Sequence, residues 1–596
     1  MGAVTTGGTV ALTWGAARRA ATMLRTRWFA VLVAMVCVQG GLVWTMPLLV
    51  ALVGATLRRL DIGGVNLETL DTVLTSPLAI LALLLVAAVA TILVLTEVTV
   101  FAVIGHLTLA GERVTFTSVL RRCRTTARKV VSWQGLVLVP YLTVLLPISE
   151  VGFTSFLTEY VAIPKFITGE LLKTTPGTVL YVVVMGTVVY AMLRFLLFPA
   201  IVSGTEDTIV AALGRSLRMT RWRTLLGFGV VMLATALLAW LVLVLVGGLG
   251  AAPVAWVATP AAAGVMLGLV ELAQFLVAGA AAAFLAFFFV AYLRAEQQRP
   301  IEEPSNGASA RGTRVACASL LALAVLSATP QVVTASQNAT AAAQTAPQII
   351  GHRGYPARAV ENSIAGLHAA DAAGADMVEM DIQETRDGGL VVLHDVHLGR
   401  LTGVDRNVHE LTEDEATALT VRQDGRTAPV PTLAEFVREA DARGVRLLVE
   451  LKPHGQERPE FAHRIVATLA RLDPDRSHMI QSLDRNLIEE IARLDPERAT
   501  AYVVGFQIGN LPATSSDAVV LEDWSVQDRM LVQARRQGRE LYTWTVNEAG
   551  PLSDHIARGV DGVITDEVDR AVDVRERVTA DPLTFYLERA RGLVTV

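Results

Sequence analysis

Two histidines, three carboxylates and two cations follow one another in an order that could cleave a phosphodiester. His352 and Arg353 come directly after the short apolar run 348–351. Glu379 and Asp381 stand two apart in a β-like run, so their side chains point the same way. His394 closes the next run, and Glu450 and Lys452 again stand two apart in a later one. Glu379, Asp381 and Glu450 make a hard oxygen site of the kind that holds Ca2+ or Mg2+. Such an ion polarises a phosphoryl oxygen and lowers the pKa of a bound hydroxyl or water. Arg353 offers a planar fork to phosphate oxygens, and Lys452 adds a point charge. Two histidines can divide the proton work, one taking a proton from the nucleophile and the other giving one to the departing alkoxide.

Singly, these signals are weak. His-Arg-Gly occurs by chance, and Glu-x-Asp on a strand is commonly an exposed edge. Trp544 alone reads as core, and Asp566 alone reads as a cap on the helix that follows. His397, His409, His454, His463, His478 and His555 have no supporting context and read as surface or structural. What carries weight is that the polar residues recur at the ends of strand-like runs. These runs cover 348–351, 377–382, 390–394, 446–452, 478–482, 500–504, 518–521, 540–546 and 562–565, with amphipathic helical patterns between most of them. Strands alternating with helices over this length predict an α/β TIM (β/α)8 barrel, whose sites are built at the C-terminal ends of its strands. Nine runs are one too many. The runs at 377 and 390 are joined by a turn at Asp387-Gly388-Gly389 with no helix between them, and the sequence does not say which strand is extra.

The set His352-Arg353-Gly354, Glu361-Asn362, Glu379-x-Asp381, His394-Asp395, Glu450-x-Lys452, Gln481-Ser482, Trp544-Thr545-Val546-Asn547 and Gly562-Val563-Ile564-Thr565-Asp566 resembles the glycerophosphodiester phosphodiesterases over about residues 348–570. That resemblance implies a TIM barrel that hydrolyses glycerophosphodiesters to glycerol 3-phosphate and an alcohol. It implies a metal held by Glu379, Asp381 and Glu450, with His352 and His394 as the acid–base pair. Arg353, Lys452 and Trp544 are then the candidate substrate-binding residues. Two departures, Val360 before Glu361 and Leu483 after Gln-Ser, remove no reacting group.

The other half of the chain is of a different kind. The 596 residues are 52% hydrophobic and 18% charged, too apolar for an ordinary soluble enzyme. The net charge of −5 excludes a nucleic-acid binder of the usual basic type. Apolar segments at 28–53, 77–106, 133–146, 178–202, 225–250, 268–293 and, more weakly, 315–333 predict about seven transmembrane helices. The stretch 251–267, interrupted by Pro253 and Pro260, reads as an interfacial or re-entrant piece. Arginines crowd the segments after the second, fourth and sixth spans, which puts those loops and the N-terminus in the cytoplasm. Glu97 and Glu271 fall inside spans without an assigned role. The three cysteines, Cys37, Cys123 and Cys317, all precede the barrel, so it has neither a disulfide framework nor a thiolate metal site. The segment resembles the membrane domain fused to some bacterial members of the same family.

The sequence therefore predicts an all-α, multi-pass membrane domain over 1–333, a low-complexity tether over 334–347 and an extracytoplasmic catalytic domain over 348–596. The last span also has the features of an internal signal peptide, and its cleavage would release the barrel. Expected partners are a glycerophosphodiester or lysolipid substrate and membrane lipids. Rival readings are a lysophospholipase D, a hydrolase of glycerol-phosphate wall polymers, and a transport or sensing protein whose barrel only binds.

Overall fold

A computed structural model describes residues 6–130, 175–254, 260–302 and 346–580, with isolated positions between these stretches. Five of the expected apolar segments are helical. They lie in α1 (Thr6–Arg59), α2 (Pro77–Leu109), α3 (Thr175–Phe195) with the short helix Phe198–Gly204 after it, α4 (Trp222–Val254) and α5 (Pro260–Glu296). Among the described residues, four stretches are long and apolar enough to cross a bilayer: Val10–Gly41, Thr175–Gly204, Trp222–Val246 and Gly264–Glu296. The segment expected at 133–146 lies outside the described residues, and so does most of 315–333. The proline-containing stretch 251–267 largely belongs to two helices, with Pro253 in the last turn of α4 and Pro260 opening α5. A proline is tolerated at a helix start because its missing N–H has no intrahelical partner there.

The basic segments meet at one end of this bundle. Arg294 Nη1 donates to the His106 carbonyl at 3.1 Å, and Lys129 Nζ donates to the Val202 carbonyl at 3.1 Å. The backbone N–H of Glu302 reaches the Leu109 carbonyl at 3.2 Å. Ala16, Ala20 and Met23 of α1 share one buried apolar cluster with Phe287 and Phe288 of α5 near the same end.

The eight parallel barrel strands are β1 (Gln348–Gly351), β2 (Met377–Glu384), β3 (Arg446–Leu451), β4 (Met479–Ser482), β5 (Thr500–Val504), β6 (Ala518–Glu522), β7 (Glu540–Trp544) and β8 (Gly562–Thr565). Neighbours pair in sequence order, and β8 and β2 both pair with β1, which closes the barrel. The ninth strand is now identified. Leu390–Val392 lies antiparallel on the end of β2, outside the parallel ring, and His394 falls beyond it. A hairpin, Thr420–Gln423 with Arg426–Pro429, also sits in this β2–β3 excursion.

Strand alternation divides the apolar residues into two layers. Ile350, Met377, Leu448, Met479, Val520, Tyr542 and Ile564 fill the barrel interior. Val378, Met380, Leu447, Val449 and Leu541 face outward into the core shared with the helices. The helices are locally encoded: Thr432 and Glu435 form a reciprocal capping box on Leu433–Arg443, and Asp484 caps Arg485–Leu494. Helices link successive strands except β5 to β6, where residues 505–517 form a loop containing the two-residue strand Ile508–Gly509.

One buried ion cluster ties the barrel wall together. Arg498, fully buried, donates to Asp473 at 2.5 Å and Asp495 at 3.3 Å, and also to two backbone carbonyls. Against the cost of burial, the Arg498 hydrogen bond lowers the Asp473 pKa to about 2. Its contribution to stability is therefore present above the ordinary carboxylate pKa and is lost as pH falls toward 2. Arg498→Ala removes the cation shared by two buried carboxylates and should cost about 3–5 kcal/mol. Thermal denaturation of the purified full chain at pH 7 should show a barrel transition lowered by on the order of 10 °C.

Candidate active site at the C-terminal end of the barrel

The alternation that buries Met377 inside the barrel turns Glu379 and Asp381 inward above it. By the same rule Glu450 stands above Leu448, Gln481 above Met479, Trp544 above Tyr542 and His352 above Ile350. The site is thus a polar storey on an apolar floor. Register completes it: Asp381 is the β-partner of Glu450, and Glu450 the partner of Gln481, on three adjacent strands.

One carboxylate oxygen from each of Glu379, Asp381 and Glu450 lies within 4.8 Å of the others, and all three residues are buried. Glu379 Oε1 makes no hydrogen bond, while Asp381 Oδ1 and Glu450 Oε1 face only the Lys452 ammonium. The remaining oxygens are committed. Glu379 Oε2 accepts from the Arg353 N–H at 2.6 Å, Asp381 Oδ2 from Asn362 at 2.7 Å and Glu450 Oε2 from Gln481 at 2.9 Å. Each carboxylate therefore keeps one oxygen turned to a common point, which fits a hard divalent cation.

Charge balance decides the ionisation states. Burial, with Asp381 and Glu450 alongside, drives the Glu379 pKa well above the usual carboxylate range, against the pull of Arg353 and Lys452. Asp381 goes the other way. Despite burial, Lys452, His394, Arg353 and the Asn362 hydrogen bond hold it far below that range. Arg353 is the shared cation, 3.1 Å from Glu361 and 3.3 Å from Asp381. Arg353 and Asn362 both have left-handed backbone, with φ of 54° and 55°. A non-glycine residue bears such a conformation at a cost of about 1–2 kcal/mol. Here the Asn362 side chain is locked to both the backbone and the side chain of Asp381.

Each histidine has a carboxylate behind it. His352 Nδ1 is 2.7 Å from Asp566 Oδ1, and Asn547 holds the other Asp566 oxygen at 2.7 Å. His394 Nδ1 is 2.7 Å from Asp395 Oδ1, and Arg400 connects Asp395 to Glu361. Both rings thus leave Nε2 for chemistry. Burial lowers the His394 pKa, with Arg353 and Lys452 adding to the effect and Asp381 and Asp395 opposing it.

All eight residues singled out from the sequence, His352, Arg353, Glu379, Asp381, His394, Glu450, Lys452 and Trp544, belong to this end of the barrel. Asp566 has a larger part than helix capping. Arg400, Gln423 and Glu522 were not found from the sequence. Arg400 and Gln423 come from the β2–β3 excursion and brace Glu361. Glu522 is buried at the tip of β6 beside Trp544, one residue past the apolar run 518–521. His478 and His555 are buried beside Asp441 and Asp523, away from the site, and His397 and His463 are exposed.

Converging carboxylates predict linked cation and proton binding. Without a divalent ion, raising pH above the ordinary carboxylate range works against the proton that burial and its acidic neighbours keep on Glu379. Its raised folded-state pKa means that stability is lost over that rise. Adding Ca2+ or Mg2+ at 100 times its dissociation constant should restore about 2.7 kcal/mol, seen as a higher melting temperature. Glu379→Gln should flatten the pH dependence and remove the response to the ion.

Comparison with known proteins gives the family. The model of the glycerophosphoryl diester phosphodiesterase family matches residues 352–570. That of the membrane domain of glycerophosphoryl diester phosphodiesterase matches residues 18–327, more than half of the chain. Among curated relatives, the Bacillus subtilis protein YhdW is 28% identical over 232 residues, 37% of this chain and 95% of that protein. A glycerophosphodiester phosphodiesterase of Caldanaerobacter subterraneus is 25% identical over 236 residues, 38% of this chain and 96% of the relative. Among solved structures, an Oleispira antarctica phosphodiesterase in complex with sn-glycerol-3-phosphate is 22% identical, with a TM-score of 0.35, over 39% of this chain and 98% of that one. The chain is a membrane protein of the glycerophosphoryl diester phosphodiesterase family, a phosphoric diester hydrolase joined to that family's membrane domain.

Proposed function

We propose that the protein hydrolyses glycerophosphodiesters to sn-glycerol 3-phosphate and an alcohol, with His352 and His394 as the acid–base pair. The observation that carries this reading is the convergence of three carboxylate oxygens, one buried arginine and two carboxylate-backed histidines at one barrel end. Glu379, Asp381 and Glu450 would hold Ca2+ or Mg2+, which when bound polarises the phosphoryl group and favours the deprotonated nucleophile. Arg353 and Lys452 offset charge on the phosphate. Trp544, above the apolar floor, supplies a flat wall for the substrate.

His352 acts as base through Nε2, because Asp566 holds Nδ1 and favours the imidazolium that forms. The proton comes from the glycerol 2-hydroxyl or from water, whose oxygen then attacks phosphorus. His394 gives a proton to the departing alkoxide. Asp395, 2.7 Å from its Nδ1, keeps the ring aimed with Nε2 toward the leaving oxygen.

The same reading takes 1–333 as a multi-pass membrane domain, 334–347 as a tether and 348–596 as a catalytic domain outside the cytoplasm. Gathering of the basic segments at one end of the bundle supports that orientation.

Turnover of glycerophosphocholine and glycerophosphoethanolamine by the full chain in detergent tests the chemistry. His352→Ala and His394→Ala should each lower kcat by about 10²–10⁴-fold, and EDTA should abolish activity reversibly. Wild-type turnover in His352→Ala would refute the acid–base assignment, and full activity in EDTA the metal assignment. For sidedness, protease added to intact cells should degrade the barrel; its protection there, with digestion only after lysis, would refute the extracytoplasmic placement.

A further inference from the structure

The segment between α1 and α2 crosses from the membrane half to the barrel. Gly64–Val65 pairs antiparallel with Ile508–Gly509, in the β5–β6 connection where the barrel lacks an outer helix. The turn is self-braced: Thr69 Oγ1 donates to the Gly64 carbonyl at 3.0 Å, and Asn66 Oδ1 accepts from the Thr69 N–H at 3.0 Å. That bracing aims the buried Asn66 amide at the buried Gln507, with Nδ2 to Oε1 at 3.2 Å. Gln507 in turn receives support from the barrel, since its N–H donates to Ser525 Oγ at 2.8 Å just past the tip of β6. Glu68 is hydrogen-bonded to Tyr502 and lies 4.0 Å from Arg485, at the start of the helix after β4.

These contacts have a direction. Ser525, Gln507 and Arg485 all follow the C-terminal ends of their strands, the end that carries Glu379, Asp381 and Glu450. The membrane half therefore grips the rim of the catalytic end. Leu57, in the last turn of α1, packs near Gly509, and Met266, near the start of α5, packs against the barrel's outer core. Both helices reach the barrel by the end opposite their contacts with the basic segments.

We propose that residues 60–69 form a clamp that holds the mouth of the barrel against the bilayer, so that the site takes glycerophosphodiesters carried on a lipid directly from the membrane surface. The proposal rests on the phosphodiesterase reading above. Cleavage is the same reaction: the bond from phosphorus to the head-group oxygen breaks, the attacking oxygen bonds to phosphorus, and the head-group alkoxide leaves with the proton from His394. The difference is that the acylated glycerol stays in the bilayer while its phosphate enters the barrel. A buried amide pair suits a permanent clamp, because separating the partners leaves donors and acceptors unmade.

Gly64→Val tests the clamp. A Cβ at Gly64 would lie 2.1 Å from Gln507 Nε2 and 2.6 Å from the Ile508 carbonyl, so the docked arrangement cannot accept it. In full-length protein reconstituted in phosphatidylglycerol vesicles, the substitution should slow turnover of embedded monoacyl-glycerophosphocholine by about tenfold or more, as a loss of positioning does. Turnover of water-soluble glycerophosphocholine should change by less than about twofold. An equal fall on both substrates, or no fall on the lipid, overturns the proposal.

A second measurement does not depend on the stability of that variant. The pair Asn66→Cys and Gln507→Cys, with a protease site inserted in 334–347, should oxidise in membranes and keep the halves joined after cleavage. Separation of the halves under non-reducing conditions overturns the docking. If the wild-type protein cleaves neither substrate while the cross-link forms, the functional reading fails and the docking stands.

Discussion

The barrel end depends on one buried guanidinium. Arg353 stands among Asp381, Glu361, Glu379 and Glu450, and these negative charges hold its pKa well above the ordinary value despite burial. Without it, Asp381 and Glu450 would be left to Lys452, and Glu361 to Arg400. The cost of burying so many carboxylates is reduced only because each has a geometrically suitable partner. The left-handed backbone at Arg353 belongs to this arrangement: it delivers the N–H of the same residue to Glu379 while the side chain reaches Asp381 and Glu361.

Two kinds of support surround that charge. Asn362 and Gln481 are neutral amides that take up the spare oxygens of Asp381 and Glu450 and so fix which oxygens remain free. The second support is a chain of polar contacts, Arg353–Glu361–Arg400–Asp395–His394, which joins Arg353 to His394 through the β2–β3 excursion. Any displacement of that excursion would change the orientation of His394 and the charge near Arg353 together. The insertion that spoils the regular barrel count is thereby part of the catalytic end.

Coupling to the membrane half follows a similar economy. A TIM barrel is normally closed on its outside by a helix after each strand. Here the β5–β6 connection has none, and a short segment of the membrane half pairs with the exposed backbone instead. Antiparallel pairing of two residues is weak by itself. It is reinforced by the Asn66–Gln507 amide contact and by apolar packing at Leu57.

Much of the site was legible in the sequence. The period-two placement of Glu379 with Asp381 and of Glu450 with Lys452, after apolar strand residues, forces these side chains to share a face. The strand-end positions of His352 and Trp544 follow from the same rule. Apolar segments longer than a bilayer crossing likewise announced the membrane half. What only the tertiary structure decided were relations between distant segments: that Leu390–Val392 is the strand outside the ring, that Asp566 backs His352 across 214 residues, and that Arg400 and Gln423 brace Glu361. It alone decided that Asn66 meets Gln507. Local periodicity fixes which way a side chain points from its own backbone. Which partner lies there depends on how strands are ordered and closed, and that is set by packing among elements far apart in the chain.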